Sequence, residues 1–540
     1  MFAENFTAEL TDNIPKSDAK GDQDSTKMND IAITEEEVNK LLKDLQVNKS
    51  AGPDQINPRV LYECADVLSK PLTVLFNKSL TSGIVPKDWK MAHICPIHKK
   101  DEKHMASNYR PVSLTSVVSK VMERVVKERI MNYLYSNNKL SDCQYGFVEG
   151  RNTVTNLLHA TDAWTESVDR GENVDVLLLD FKKAFDSVPH KRLLEKCRGI
   201  GLSDQCIVWL SDFLKERWQK VKVGSCLSSA KEVRSGVPQG SVVGPVLFVI
   251  FINDLPDGIK GKITMFADDV KLFRIIRSIH DCQELQSDLD KLYDWSVKWQ
   301  LHFNPKKCQV LRIGNPPPYN YSIVDVTSGK KVLLKSEMSA RDLGVTHSAD
   351  LKHERHVKEI VAKATKVCFT IKRTIGHLTP DSGRALFCAL ARPILEYAAT
   401  SWSPYHQKDI QAIEKVQRRF TKWIRPLRSM QYRDRLVALN LFSLRHRRRR
   451  GDLIQMYLLK SKEDQLVSRH LARRTPHNTR GHQFKLETER TRLCQRRYYF
   501  TNRVRKDWNS LPQNIVEAPN LDTFKRRLDR RWENDPTRFE

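Results

Sequence analysis

The chain has 540 residues, 40% of them apolar and 29% charged, with a formal net charge of +26 and a pI of about 9.6. That length exceeds one ordinary domain, the apolar share is enough for two or three cores, and the basic surplus favours a polyanionic partner such as nucleic acid or an acidic membrane surface. Eleven scattered cysteines, with no C-x-x-C and no Cys/His cluster at zinc spacing, exclude a zinc framework and suggest reduced thiols in an intracellular protein.

Residues 1–33 read as a disordered or linking tail, with charged and small residues dense over 16–27 and no basic leader region to suggest a signal peptide. Thr34-Glu35-Glu36-Glu37 has the form of a capping box, and Val38, Leu41, Leu42 and Leu45 follow at helical spacing. Gly52 and Pro53 stop that helix. Residues 60–80 and 89–97 predict a helix and then a strand, which runs through Lys99 and Lys100 to Asn108-Tyr109-Arg110-Pro111. A long amphipathic helix is expected over 116–135, with Gln144-Tyr145-Gly146-Phe147 and Gly150-Arg151 after it and another helix over 153–168. Residues 174–181 are a nearly continuous apolar run with Asp180 at its end, the pattern of a buried strand delivering an acid.

Gly236-Val237-Pro238-Gln239-Gly240-Ser241 is a turn-forming stretch followed by a buried helix over 246–251, and the run over 242–253 is too short to span a membrane, so a soluble protein is expected. Around Ala267-Asp268-Asp269, apolar and β-branched residues predict a strand, a tight turn and a returning strand. A helix over 285–299, the Asn304-Pro305-Lys306-Lys307-Cys308 segment and Leu343-Gly344-Val345 come next. From about residue 350 the pattern becomes helical. Residues 441–540 carry 25 lysines and arginines against 12 acids, a surplus of 13, with Tyr498, Tyr499, Phe500 and Trp508 interleaved. The basic run from Arg445 to Arg450 fits a nuclear signal, a nucleic-acid contact or a solvated helix face equally well.

Two adjacent aspartates in a hairpin are ordinary when solvated, but burying them without a counter-charge costs several kcal/mol. Paired with Asp180 from a separate strand, they suit a site for two hard cations, Mg²⁺ or Mn²⁺, roughly 3.5–4 Å apart. Three stretches in order, Asp180-Phe181-Lys182-Lys183-Ala184-Phe185-Asp186, Gly236 to Ser241, and Phe266-Ala267-Asp268-Asp269, resemble the polymerase motifs of reverse transcriptases, closest to the jockey-like non-LTR (LINE-type) branch.

The resemblance implies an α/β right-hand polymerase: fingers and palm over 34–350, an α-helical thumb over 351–440 and a basic helical region over 441–540 in contact with nucleic acid. It implies RNA-templated DNA synthesis from a DNA primer and dNTPs. Asp180, Asp268 and Asp269 would be catalytic and, with Phe181, form the metal set. Arg110, Phe185, Gln239 and Gly240 would bind the nucleotide, with Phe185 beneath the sugar, where it would clash with a ribose 2′-hydroxyl. Gln144, Gly146, Arg151 and Lys307 would face template and primer, with Lys306 or Lys307 protonating the leaving pyrophosphate. The hairpin at 343–345 would support the primer end. No membrane partner is implied, and a nuclear, intracellular protein is expected. The endonuclease of full-length relatives is expected to come from elsewhere. The rival readings are an inactive nucleic-acid-binding relative and an RNA polymerase or intron maturase. Gly-Asp-Asp is the usual form in RNA-dependent RNA polymerases, in place of Ala267-Asp268-Asp269.

Overall fold

The computed structural model describes residues 9, 14–16, 27–99, 102–461, 482–533 and 535–539. Most of the tail expected over 1–33, Lys100, and part of the basic region lie outside the described residues. The strands are β1 (Met91–His98), β2 (Tyr109–Leu114), β3 (Asn173–Leu179), β4 (Arg217–Val223), β5 (Cys226–Leu227), β6 (Lys231–Val233), β7 (Lys262–Phe266) and β8 (Asp269–Ile276). There follow β9 (Gln309–Ile313), β10 (Ser322–Asp325), β11 (Lys330–Leu333), β12 (Lys335–Glu337), β13 (Ser339–Asp342) and β14 (Val345–Ser348). Two five-stranded sheets carry most of them. The first runs β2-β1-β4-β5 with β6 also on β4, and the second runs β12-β9-β3-β8-β7.

β3 sits in the middle of the second sheet, antiparallel to both β8 and β9. Its two faces enter different cores. Leu177 and Leu179 pack with Leu272, Phe248 and the helix Ile279–Lys298, while Val174 and Val176 pack with Phe273 and Trp164 of the helix Thr153–Asp169. A strand buried on both faces is apolar at most successive positions, and the one exception over 174–179, Asp175, is fully buried with Arg312 (3.0 Å) and the Tyr321 hydroxyl (2.8 Å) as partners. The apolar helix after the glycine-rich loop spans Gly244–Phe251, with seven of its eight residues buried.

The N-terminal capping box forms in full: the Thr34 hydroxyl accepts from the Glu37 amide while the Glu37 carboxylate accepts from the Thr34 amide. Residues 27–33, immediately before it, are not a loose tail. Met28, Ile31 and Ile33 are buried in the main core, and the amides of Ile31 and Ile33 donate to Gln205 and Asn77. The expected boundary at 33/34 therefore falls inside packed structure.

The boundary expected at 440/441 fails for a similar reason. The helices Glu354–Ile375, Gln407–Thr421 and Tyr432–Ala438 enclose one core, to which Leu441 and Leu444 belong. The helix Leu444–Lys460 starts there and ends in another core with Phe500, Trp508, Phe524 and Leu528. That second core also takes in Tyr145 and Leu158 from the body of the chain. The C-terminal region is pinned to the helix Thr153–Asp169 by polar contacts. The Tyr499 hydroxyl donates to the Leu158 carbonyl (2.6 Å), and Asp169 accepts from the amides of Arg492 and Leu493. Arg496, 3% exposed, meets Asp162, 2% exposed, at 2.7 Å and Glu489 at 2.9 Å.

The basic run is largely consumed by such pairs. Arg447 binds Glu396, Arg449 binds Asp507 and Asp535, Arg450 binds Asp529, and Arg448 is buried near Glu414 and Asp452. The solvated-face reading is thereby corrected, and the run has little charge left to present as a signal. Among the described residues no helix is long and apolar enough to cross a membrane.

Removing one partner of a buried pair strands the other's charge, at about 3–5 kcal/mol. Arg496→Met is therefore expected to lower unfolding free energy by about that amount, and adding Asp162→Asn should restore part of it. Chemical denaturation of the two variants checks this. A single variant as stable as the parent would mean that the contact is not part of the fold.

Candidate active site

The register of the second sheet brings the carboxylates together. Leu179 on β3 stands opposite Val270 on β8, so Asp180, one residue on, emerges beside Asp269, one residue back. Phe266 pairs with Asp269 across the β7–β8 hairpin, which leaves Ala267 and Asp268 as its two turn residues. Ala267 has φ +53°, a left-handed conformation that costs a residue with a Cβ about 1–2 kcal/mol.

Gln144 holds that turn. Its side chain is fully buried, and Oε1 accepts from the amides of Ala267 (3.0 Å) and Gly146 (2.7 Å). The Tyr145 amide donates to the Met265 carbonyl and the Met265 amide to the Cys143 carbonyl, both at 2.8 Å, so residues 143–145 run alongside β7. A Cβ on Gly146 would collide with the Ala267 nitrogen, so only glycine permits this approach. Arg151 donates to the carbonyls of Ser141, Asp142 and Gln144 and to the Asp142 carboxylate, closing the loop from below. The expectation that Gln144, Gly146 and Arg151 face nucleic acid is corrected here. Their hydrogen bonds and packing point inward, where they brace the turn.

The carboxylates repel one another. Burial and the charge of Asp180 hold the Asp268 carboxyl above its usual range, while Lys307 and Lys99 oppose the rise. Desolvation in the cleft, followed by the charges of Asp268, Asp342 and Asp180, pushes Asp269 up to about 7. Lys307 sits 2.8 Å from the Asp180 carboxylate, which singles it out from Lys306 as the lysine at the site. Phe181 buries its ring against Phe303 (centroids 4.3 Å apart), so only its main chain remains as a ligand. Among the described residues, no three His, Cys, Asp or Glu side chains are grouped for metal ligation as they stand. The donor chemistry nonetheless fits a hard cation: three carboxylates on adjoining strand ends, two of them driven toward protonation by their neighbours.

The nucleotide residues assemble around the glycine-rich loop. Phe185 is half-buried and stacked on Phe248 at 4.4 Å, and Gln239 Nε2 donates to Asp186 at 2.9 Å. The Ser113 amide donates to the Gln239 carbonyl at 2.9 Å, tying the loop to β2. Gly240 has φ +116° and lies so close to the Ser113 carbonyl that a Cβ would collide with it. Arg110 stands exposed on the same strand, paired with Ile97 of β1.

Sequence reasoning missed two supports. Lys271, 2% exposed, bridges Asp342 (2.6 Å) and Asn156 directly behind Asp269. The buried Glu123 carboxylate accepts from the amides of Val242 and Val243 and from Ser119, anchoring the end of the glycine-rich loop. The only signal in the sequence was a charged residue at a position where the local pattern calls for an apolar one.

A family model described as reverse transcriptase (RNA-dependent DNA polymerase) matches residues 97–347, from the end of β1 to β14. The chain carries a reverse transcriptase domain. It is 28% identical over 407 residues to the probable RNA-directed DNA polymerase from transposon BS of Drosophila melanogaster, covering 72% of this chain and 44% of that protein. It is 32% identical over 383 residues to the RNA-directed DNA polymerase from mobile element jockey of Drosophila funebris (68% and 41%), and 30% identical over 339 residues to that of Drosophila melanogaster (61% and 36%). The chain thus spans less than half the length of these relatives. Reverse transcriptases work with divalent metal ions, in keeping with the carboxylate set of this domain.

The raised Asp269 carboxyl makes stability depend on pH. The folded reverse transcriptase domain holds that proton more tightly than the unfolded chain, whose carboxyl lies near 3.8. The contribution is fully present below the unfolded value and is lost as pH rises through about 7. In metal-free buffer the melting temperature is expected to fall between about pH 5 and pH 8, and the fall should flatten in Asp269→Asn. An equally steep fall in the variant would assign the proton to another group.

Proposed function

We propose that the chain is an RNA-directed DNA polymerase of a non-LTR retrotransposon, extending a DNA primer on an RNA template with dNTPs. One observation carries the reading: Asp180 and the Asp268-Asp269 turn meet at adjoining strand ends within the matched domain. The finer architecture proposed is a right hand. The first sheet serves as fingers, the second as palm, and the helices from Glu354 to Ala438 as thumb, with the hairpin of β13 and β14 beneath the primer end. The nucleic-acid contact of the C-terminal region then rests on the exposed Arg445, Arg497, Lys506 and Arg526, since the inner arginines are paired.

Asp180, Asp268, Asp269 and the Phe181 main chain would hold the cations, with Mg²⁺ the best match to hard oxygen donors. When bound, the metal neutralises charge at the reacting phosphate and activates the attacking oxygen. The protein's own groups supply the rest. The primer 3′-oxygen bonds to the α-phosphorus of the dNTP as the bond to pyrophosphate breaks. Gln144 and Gly146 keep the Asp268 turn in place, so that little reorganisation is needed at that moment. Arg110 offers a planar fork to phosphate oxygens, and Lys307 is placed to give a proton to the departing pyrophosphate. Phe185, fixed on Phe248, meets the sugar where a 2′-hydroxyl would project.

Two measurements test this reading. Asp180→Asn or Asp268→Asn should abolish extension of oligo(dT) on poly(rA) while RNA binding persists, because a lost ligand charge removes several kcal/mol of transition-state stabilisation. More than about a tenth of the parent rate in either variant would count against the metal assignment. Phe185→Val should raise UTP incorporation relative to dTTP. An unchanged ratio in an active variant would return Phe185 to a packing role.

A further inference from the structure

Phe147 combines three properties that packing alone does not account for. It is a bulky residue at φ +58°, in the left-handed region. Its side chain is 51% exposed, so burial does not compensate that conformation. Its ring stands edge-on to Phe185, with centroids 6.3 Å apart and planes at 77°. A strained backbone persists only where its surroundings over-determine it, and such residues gather at working sites.

Its neighbours show what imposes the strain. Gly146, immediately before it, is held by Gln144 and pressed against Ala267 of the catalytic turn. Val148, immediately after it, is buried. The backbone of Phe147 is thus fixed to the turn that carries Asp268, while its ring reaches across to the nucleotide side. Phe185 has one face stacked on Phe248 at 4.4 Å and 17°, and Phe248 is fully buried and cannot move away. Its backbone is held as well, since the Val237 amide donates to the Phe185 carbonyl at 2.7 Å. The freedom left to Phe185 is rotation about its side-chain bonds. The ring in contact with it on the exposed side is Phe147.

We propose that Phe147 is a positioning residue for sugar selection: its ring keeps Phe185 seated against Phe248, in the orientation that excludes a 2′-hydroxyl. This rests on the polymerase reading above and adds a residue to it. Without the Phe147 ring, Phe185 can swing toward the space vacated, and the clearance at the sugar's 2′ position widens. The backbone link makes the same residue a tie between the catalytic turn and the selecting ring, so that metal site and sugar pocket keep a constant spacing.

The test uses the full chain and single-nucleotide incorporation of dTTP and UTP opposite a template adenine. Phe147→Gly is the informative variant, because glycine takes a positive φ without strain. Its melting temperature should not fall, while the dTTP-over-UTP ratio of kcat/KM falls about tenfold. Phe147→Tyr, which keeps the ring, should retain the parent ratio. In a Phe185→Val background, Phe147→Gly should add nothing, because the effect passes through Phe185. An unchanged ratio in Phe147→Gly, or a further fall in the Phe185→Val background, overturns the positioning role and leaves the polymerase reading standing. A parent chain that incorporates no dTTP overturns the polymerase reading, and the positioning role with it.

Discussion

Like charges forced to one end of a sheet set the terms for the rest of this molecule. Asp180, Asp268 and Asp269 leave neighbouring strand ends, where their mutual repulsion and the cost of desolvation raise two of the three carboxyls. A sheet edge alone would splay to relieve that repulsion. Here it is held by β3 pairing on both sides, by Gln144 on the turn, and by Lys271 clamped between Asp342 and Asn156. Lys307 supplies the facing positive charge at Asp180. The arrangement stores an unfavourable charge density that a bound cation would relieve, which is how a rigid fold becomes a metal-dependent one.

The supports come from far along the chain, and they join parts that look separate in linear order. The glycine-rich loop is anchored at one end by Glu123 and in its middle by Ser113 of β2, so the first sheet and the carboxylate site share a boundary. The C-terminal helices reach the same neighbourhood from behind. Tyr145, whose amide bonds to β7, belongs to their core together with Leu158, and Arg496 and Tyr499 lock that core to the helix Thr153–Asp169. A basic region that looks, by composition, like a surface for phosphates spends several of its arginines on internal acids. Net charge reports the balance of a segment and not where its charges point.

Much of the fold was legible in local pattern. The unbroken apolar run ending at Asp180, the apolar stretches flanking Asp268 and Asp269, and the capping box at Thr34 each depend on residues within a few positions of one another. Their geometry follows from the period of a strand or the first turn of a helix. The order of the motifs was legible for the same reason, and so was the class of chemistry, because hard carboxylates from separate strands admit few other partners. By itself, then, the sequence determined where the strands that flank the acids lie, which acids they carry and that these acids are candidates for one metal site.

The tertiary structure alone decided what the flanking residues do. Gln144 bonds a turn residue 123 positions away, Lys271 an aspartate 71 positions away, and Lys307, rather than Lys306, an aspartate 127 positions away. The same distance effect put Met28, Ile31 and Ile33 into the core and made Arg447 to Arg450 internal partners. Local spacing cannot encode such contacts. A side chain's partner at long range depends on sheet register and helix packing: a shift of one residue sends a strand side chain to the opposite face and turns a helical one by about 100°.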